Sequence, residues 1–168
     1  MAEAWLSGPV PGIPSLLVPV AHSLIQVRDD IPPILQGLTP EQLWARPGGS
    51  AAIGYHAVHL AGALSRLFTY ARDDILNDAQ QAELKLELRI HDERPDANRV
   101  TNILEAALAE ALASLPSFGE DALLAPREVG KRRLPSNVFG LLFHAAEHST
   151  RHAGQIQTLI RVIRGAGD

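Results

Sequence analysis

Three histidines recur at every fourth position in "FHAAEHSTRHAGQIQ" (residues 143–157): His144, His148 and His152. On an α-helix, positions four apart lie one turn up and about 40° around the axis. His148 and His152 therefore share a face, and two imidazoles at that spacing can grip one ion, as the two histidines of an HExxH helix do. Leu141, Ala145, Ile156 and Leu159 extend the same stripe at both ends, with Gln155 between. The spacing thus predicts that the histidines face a helical interior. Buried imidazoles need partners for both ring nitrogens. A shared metal would supply one partner per ring, and core histidines paired with backbone, carboxylates or water are the alternative.

A second stretch, "SAAIGYHAVHLAGALSRLFTYARD" (residues 50–73), holds His56 and His59 three positions apart, on neighbouring parts of one face. Small residues surround them: Ala52, Gly54, Gly62 and Ala63. They permit close helix approach, or leave room for water and substrate. Arg66 follows His59 two turns later on the same stripe. Two histidines from one helix and one from another make a three-nitrogen cap with open positions, the pattern of a catalytic rather than a closed structural zinc site. Imidazole also suits nickel, iron and copper. Glu147 points about 100° away from His148 and is read as an exposed helix residue. His22 and His91 lie outside either cluster and receive no role.

The elements that must position these residues are helical. Leu17, Val20, Leu24, Val27 and Ile31 predict a first helix over 15–31, which Pro32-Pro33 should break or kink. In "TPEQLW", Thr39 caps a short helix, Pro40 takes its first position and Gln42 closes a capping box. Ser50 is a candidate cap for a second long helix over 51–75, and residues 78–95 are polar and ambiguous. A third long helix runs from Asp96 to Pro116. After a long connection over 117–135, Ser136 should cap a fourth helix that ends before Gly165. Strand patterns are almost absent. The expected fold is all-α, a four-helix bundle formed by a single domain over 1–168, with an extended N-terminal arm over 1–14 and short extra helices. The two longer connections, 32–50 and 117–135, leave room for crossovers.

Composition excludes several functions. With 46% apolar and 20% charged residues, the chain reads as globular rather than disordered. A formal net charge of -4 argues against nucleic acid or an anionic membrane surface as a partner. The basic cluster "GKRRLP" (130–135) reads as a solvated loop. The chain has no cysteine, so disulfides, thiolate zinc sites and a cysteine nucleophile are ruled out. No signal-peptide pattern opens it and no apolar run reaches about 18 residues, so the expected setting is the cytoplasm.

The stretches "YHAVHLAGALSRL" and "EHSTRHAGQI" resemble the DinB-like (DinB/YfiT-like) superfamily of metalloenzymes. "EAWLSGPVPGIP", "EQLWARPGGS" and "VGKRRLPSNVFGLL" extend the resemblance over nearly the whole chain. It implies a four-helix bundle, often dimeric, with a divalent metal held by three histidines. The ligands it implies here are His59, which stands before "LAG" and is so chosen over His56, together with His148 and His152. Many relatives carry Arg after the second histidine of HxxxH, where this chain has Ala153. His144 and His56 become pocket candidates. Gly154 would allow tight helix packing, and Gln155 would hydrogen-bond near the site.

Two mechanisms follow for a small-molecule substrate. In one, zinc or nickel lowers the pKa of bound water and the protein is a hydrolase. In the other, the metal activates an external low-molecular-weight thiol and the protein is a thiol S-transferase. The resemblance implies both chemistries and a homodimer. His144 and His56 are candidate bases, and Arg66 is a candidate anchor for an anionic group. A third reading is a non-catalytic dimeric stress-response or binding module with a structural or vestigial metal.

Overall fold

The structure, a computed structural model, describes residues 3–165; residues 1–2 of the expected arm and 166–168 of the expected domain lie outside the described residues. Four long helices, α1 (Val18–Leu35), α3 (Ile53–Ala71), α6 (Ala97–Ser114) and α7 (Val138–Gly165), form an all-α fold. Short helices α2 (Pro40–Trp44), α4 (Asp78–Glu87) and α5 (Ile90–Glu93) fill the connections. The apolar positions that predict the long helices meet in one core. Leu17, Leu24, Ile31, Leu60, Leu64, Leu104, Leu108 and Leu115 are nearly or fully buried. Burying each such side chain stabilises the fold by about 1.5–3 kcal/mol before chain entropy is counted.

The principal contacts of α1 are with α6 and α7, and α3 packs on the same two helices. The long helices thus ring the core in the order α1, α7, α3, α6. Helices adjacent in sequence face each other across the ring twice, from α1 to α3 and from α6 to α7. Both expected long connections therefore serve as crossovers. The topology brings α3 and α7, the two histidine-bearing helices, into the closest pairing.

Local chemistry sets most boundaries. Thr39 and Gln42 form both bonds of the expected capping box. Asp96 caps α6 by accepting from the Arg99 N–H at 2.8 Å. The Trp44 indole lies over Gly54, where an added Cβ would come within 2.7 Å of the ring, and its N–H donates to the Pro95 carbonyl. One side chain thus ties α2, α3 and the start of α6 together.

Several boundaries differ from expectation. Helix α1 runs through Pro32 and Pro33 to Leu35. The carbonyls those prolines leave unbonded belong to the exposed Arg28 and Asp29, while Ile31, Pro32 and Leu35 are buried and hold the last turn. Ser50 does not cap α3. It lies two residues before the N-cap Ala52, and its hydroxyl is buried with no partner among the described residues. The 117–135 connection carries a two-stranded antiparallel hairpin, β1 (Pro126–Val129) with β2 (Leu134–Asn137). Ser136 belongs to β2, and Asn137 supplies the cap, accepting from the Gly140 N–H at 2.6 Å. Gly165 is the last residue of α7 rather than the first beyond it.

The arm is not wholly extended. Ala4–Ser7 form one 3-10 turn. The Ala4 N–H donates to Gln26 Oε1 at 2.8 Å, and His22 Nε2 donates to the Gly8 carbonyl at 2.9 Å. His22 therefore has a structural role, fastening the arm to α1. Among the described residues no helix is long and apolar enough to cross a membrane.

Candidate metal centre

Helix α3 contributes His59 and α7 contributes His148 and His152, and one ligand nitrogen from each lies within 4.8 Å of the others. His148 Nε2 and His152 Nε2 are 3.3 Å apart. Two imidazoles bound to one tetrahedral zinc at about 2.0–2.1 Å place their nitrogens about 3.3–3.4 Å apart. The α7 pair already has that separation.

The opposite ring edges are occupied. His59 Nδ1 lies 2.5 Å from Glu87 Oε1, and His152 Nδ1 lies 2.9 Å from His56 Nδ1. The carboxylate, which can only accept, orients the first of these contacts. His59 donates its Nδ1–H to the carboxylate, leaving Nε2 as a lone pair. With an ion on its Nε2, His152 would donate Nδ1–H to His56, whose own proton would then sit on Nε2. A ligand imidazole fixed by a bond at its far nitrogen is the ordinary support of a metal site. The donor set therefore fits a divalent ion such as zinc or nickel.

Electrostatics favour the same state. Burial, reinforced by His59, His144 and Arg151 and opposed by Glu147, lowers the His148 pKa to about 4. Burial, then His148, His59 and His56, lowers that of His152 to about 3. Burial also lowers His56, with His59 and His91 adding to the effect. These rings are neutral at pH 7, as metal ligation requires. His152 is buried, whereas the His59 side chain is 23% exposed and His148 is half-buried. The cluster thus has a closed floor and an accessible side.

The other expected site residues separate. His56 sits behind His152, as a supporting partner. Arg66 is not free to anchor a substrate, because both terminal nitrogens donate to Glu87 Oε2 at 3.1 Å. His144 does not face the interior. Its side chain is 48% exposed, it pairs with Glu147 at 2.7 Å, and its ring meets the edge of His148 at 5.5 Å between centroids. It stands on the rim. Gln155 is exposed, and no hydrogen bond joins its side chain to the cluster among the described residues. The reason is angular drift: taking His152 as reference, His144 lies about 80° around α7 and Gln155 about 60°, both on one side. Glu147 is bound by Arg151 and His144. Gly154 does not serve tight packing, since a Cβ there would meet nothing within 4 Å. It opens, with Ala153, onto a cavity of about 700 Å³ that α7 shares with α1 and the arm and that none of the three imidazoles lines.

Glu87 and Tyr55 are absent from any sequence-based expectation. Glu87 is the only buried residue of α4. The Asn77–Gln80 capping box, formed by both of its bonds, is a sequence signal for that helix. No pattern marks which of its acids turns inward. Tyr55, one turn before His59, stacks parallel to that ring at 5.5 Å and to His91 at 5.4 Å. Burial and the nearby Glu87 carboxylate push its phenol pKa up, so its hydroxyl keeps its proton. His91 thus joins the surroundings of the centre as a stacking partner.

The family model of the DinB superfamily matches residues 23–156, a span that holds all three imidazoles and Glu87. The chain belongs to the DinB superfamily. No curated protein matches the sequence.

Proposed function

We propose that this protein is a divalent-metal enzyme that activates a low-molecular-weight thiol for transfer to a small electrophile, working as a homodimer in the cytoplasm. The observation that carries the reading is the convergence of three ligand nitrogens from two helices with one side accessible. An ion bound there would act as a Lewis acid, lowering the pKa of a water or thiol ligand.

The chain's own groups favour the thiol. Both carboxylates beside the cluster are engaged, Glu87 by His59 and Arg66, and Glu147 by His144 and Arg151. A thiol, with a pKa near 8.5, needs little help from a protein base. Tyr55 keeps a protonated hydroxyl near Glu87, available to orient a polar group of the substrate. A hydrolase is the second reading, and the rim position of His144 favours it. An exposed imidazole next to His148 can take a proton from an attacking water.

The test is a screen of zinc- and nickel-loaded protein. Low-molecular-weight thiols are paired with small electrophiles, and ester and amide substrates are run without thiol. Thiol consumption that requires the metal and disappears in His148→Ala supports the transferase. Thiol-independent hydrolysis with the same dependence selects the hydrolase. Loaded protein inert in both arms overturns catalysis in favour of a structural or vestigial metal.

A further inference from the structure

We infer that Glu87, held by Arg66 and admitted by Gly62, is a positioning residue that sets the metal affinity of the centre through His59. This rests on the three-histidine reading above.

The line His59, Gly62, Arg66 runs along α3 at intervals of three and four residues, so the three positions stack on one face. Glu87 arrives from α4 and lies across it. One carboxylate oxygen meets His59 Nδ1 at 2.5 Å, and the other meets both terminal nitrogens of Arg66 at 3.1 Å. Its side chain is only 8% exposed and that of Arg66 only 13%. The seat exists because residue 62 has no side chain. A Cβ there would come within 2.7 Å of the Arg66 guanidinium and 2.9 Å of Glu87 Oε2.

Each member has a distinct task. Glu87 holds the proton of His59 on Nδ1, so that Nε2 is free for an ion, and it fixes the plane of the ring. A carboxylate beside a metal can itself become a ligand. Arg66 occupies the second oxygen and keeps Glu87 behind His59. The carboxylate also joins α4 to α3, beside the Gln80 amide, which donates to Ser65 and Thr69, and half-buried Leu86, which packs on the core. By linkage, an ion that fixes His59 must also favour the docked position of α4.

The test is competition for zinc ion against a chromophoric chelator, using the full chain, with amide hydrogen exchange of residues 78–87 before and after zinc. Glu87→Ala is expected to weaken zinc binding about 10–100-fold, the usual loss for an outer partner of a ligand histidine. Glu87→Gln, whose amide oxygen still accepts from His59, should recover a large part of it. Gly62→Ala introduces a better helix former and displaces only the flexible ends of Arg66 and Glu87, so it should fold and still bind zinc more weakly. This second variant decides the matter if Glu87→Ala does not fold. Zinc should slow exchange in α4 of the wild type and not in Glu87→Ala. Wild-type zinc binding with Glu87→Ala, or Gly62→Ala where Glu87→Ala does not fold, within twofold of it, and no zinc effect on α4, would overturn the positioning role alone. Failure of the wild type to bind zinc would overturn the three-histidine reading with it.

Discussion

A histidine ligates through one nitrogen and is aimed by the other, and here the two functions have different visibility. His148 and His152 are legible from their four-residue spacing. His59 is legible through the resemblance of its surroundings rather than from spacing. The partners that aim them, Glu87 and His56, come from tertiary packing, which no periodicity reports. His56→Phe keeps a buried ring and removes the acceptor for His152 Nδ1–H. Zinc affinity should fall about 10-fold or more in chelator competition; an unchanged affinity would show that the ring needs no such support. The lowered pKa values also set a pH dependence for the metal-free protein. Unfolded, these imidazoles take protons near pH 6.5, but folded they resist until about pH 4 for His148 and about 3 for His152. In that window the unfolded chain binds more protons, so acid favours it. Stability from this source is complete above about pH 6.5 and is lost progressively as the pH falls toward the folded values. Thermal unfolding with chelator present should show the decline, and His152→Phe should flatten it.

At the scale of elements, apolar stripes made the four long helices readable, and capping chemistry marked α2. Ser50 and Ser136 mislead because a residue type that favours caps does not say where the backbone turns helical. The β1–β2 hairpin escapes notice because its strands have four residues each, none of them buried, so neither carries an apolar alternation. Helix α1 survives two prolines because burial of Ile31, Pro32 and Leu35 offsets the two backbone hydrogen bonds that the prolines remove. Two substitutions probe the packing. Leu104→Ala, at a fully buried site on α6, should cost about 2–5 kcal/mol in chemical denaturation. Gly54→Ala should cost about 1–3 kcal/mol by the same measurement, since the Trp44 indole is a rigid ring that must move away. A neutral Gly54→Ala would mean that α2 can shift without loss.

Across the whole molecule, the ring order α1, α7, α3, α6 explains why residues about ninety positions apart share a site. The crossovers place α3 beside α7, and their contact is the largest between helices. The centre joins those two neighbouring helices, so an ion there should also stabilise the fold. Zinc at 100 times its dissociation constant stabilises a native state by about 2.7 kcal/mol, which thermal unfolding would register as a raised midpoint. The central claim is that His59, His148 and His152 form one metal centre within a fold that stands without it. It is tested most directly by elemental analysis of the purified protein beside His59→Ala and His148→Ala, with helical content measured on the same samples. The account predicts about one divalent ion per chain in the wild type, lost in both variants while the helices persist. Wild-type protein that stays free of metal after exposure to zinc and nickel, or variants that keep the ion, would contradict it.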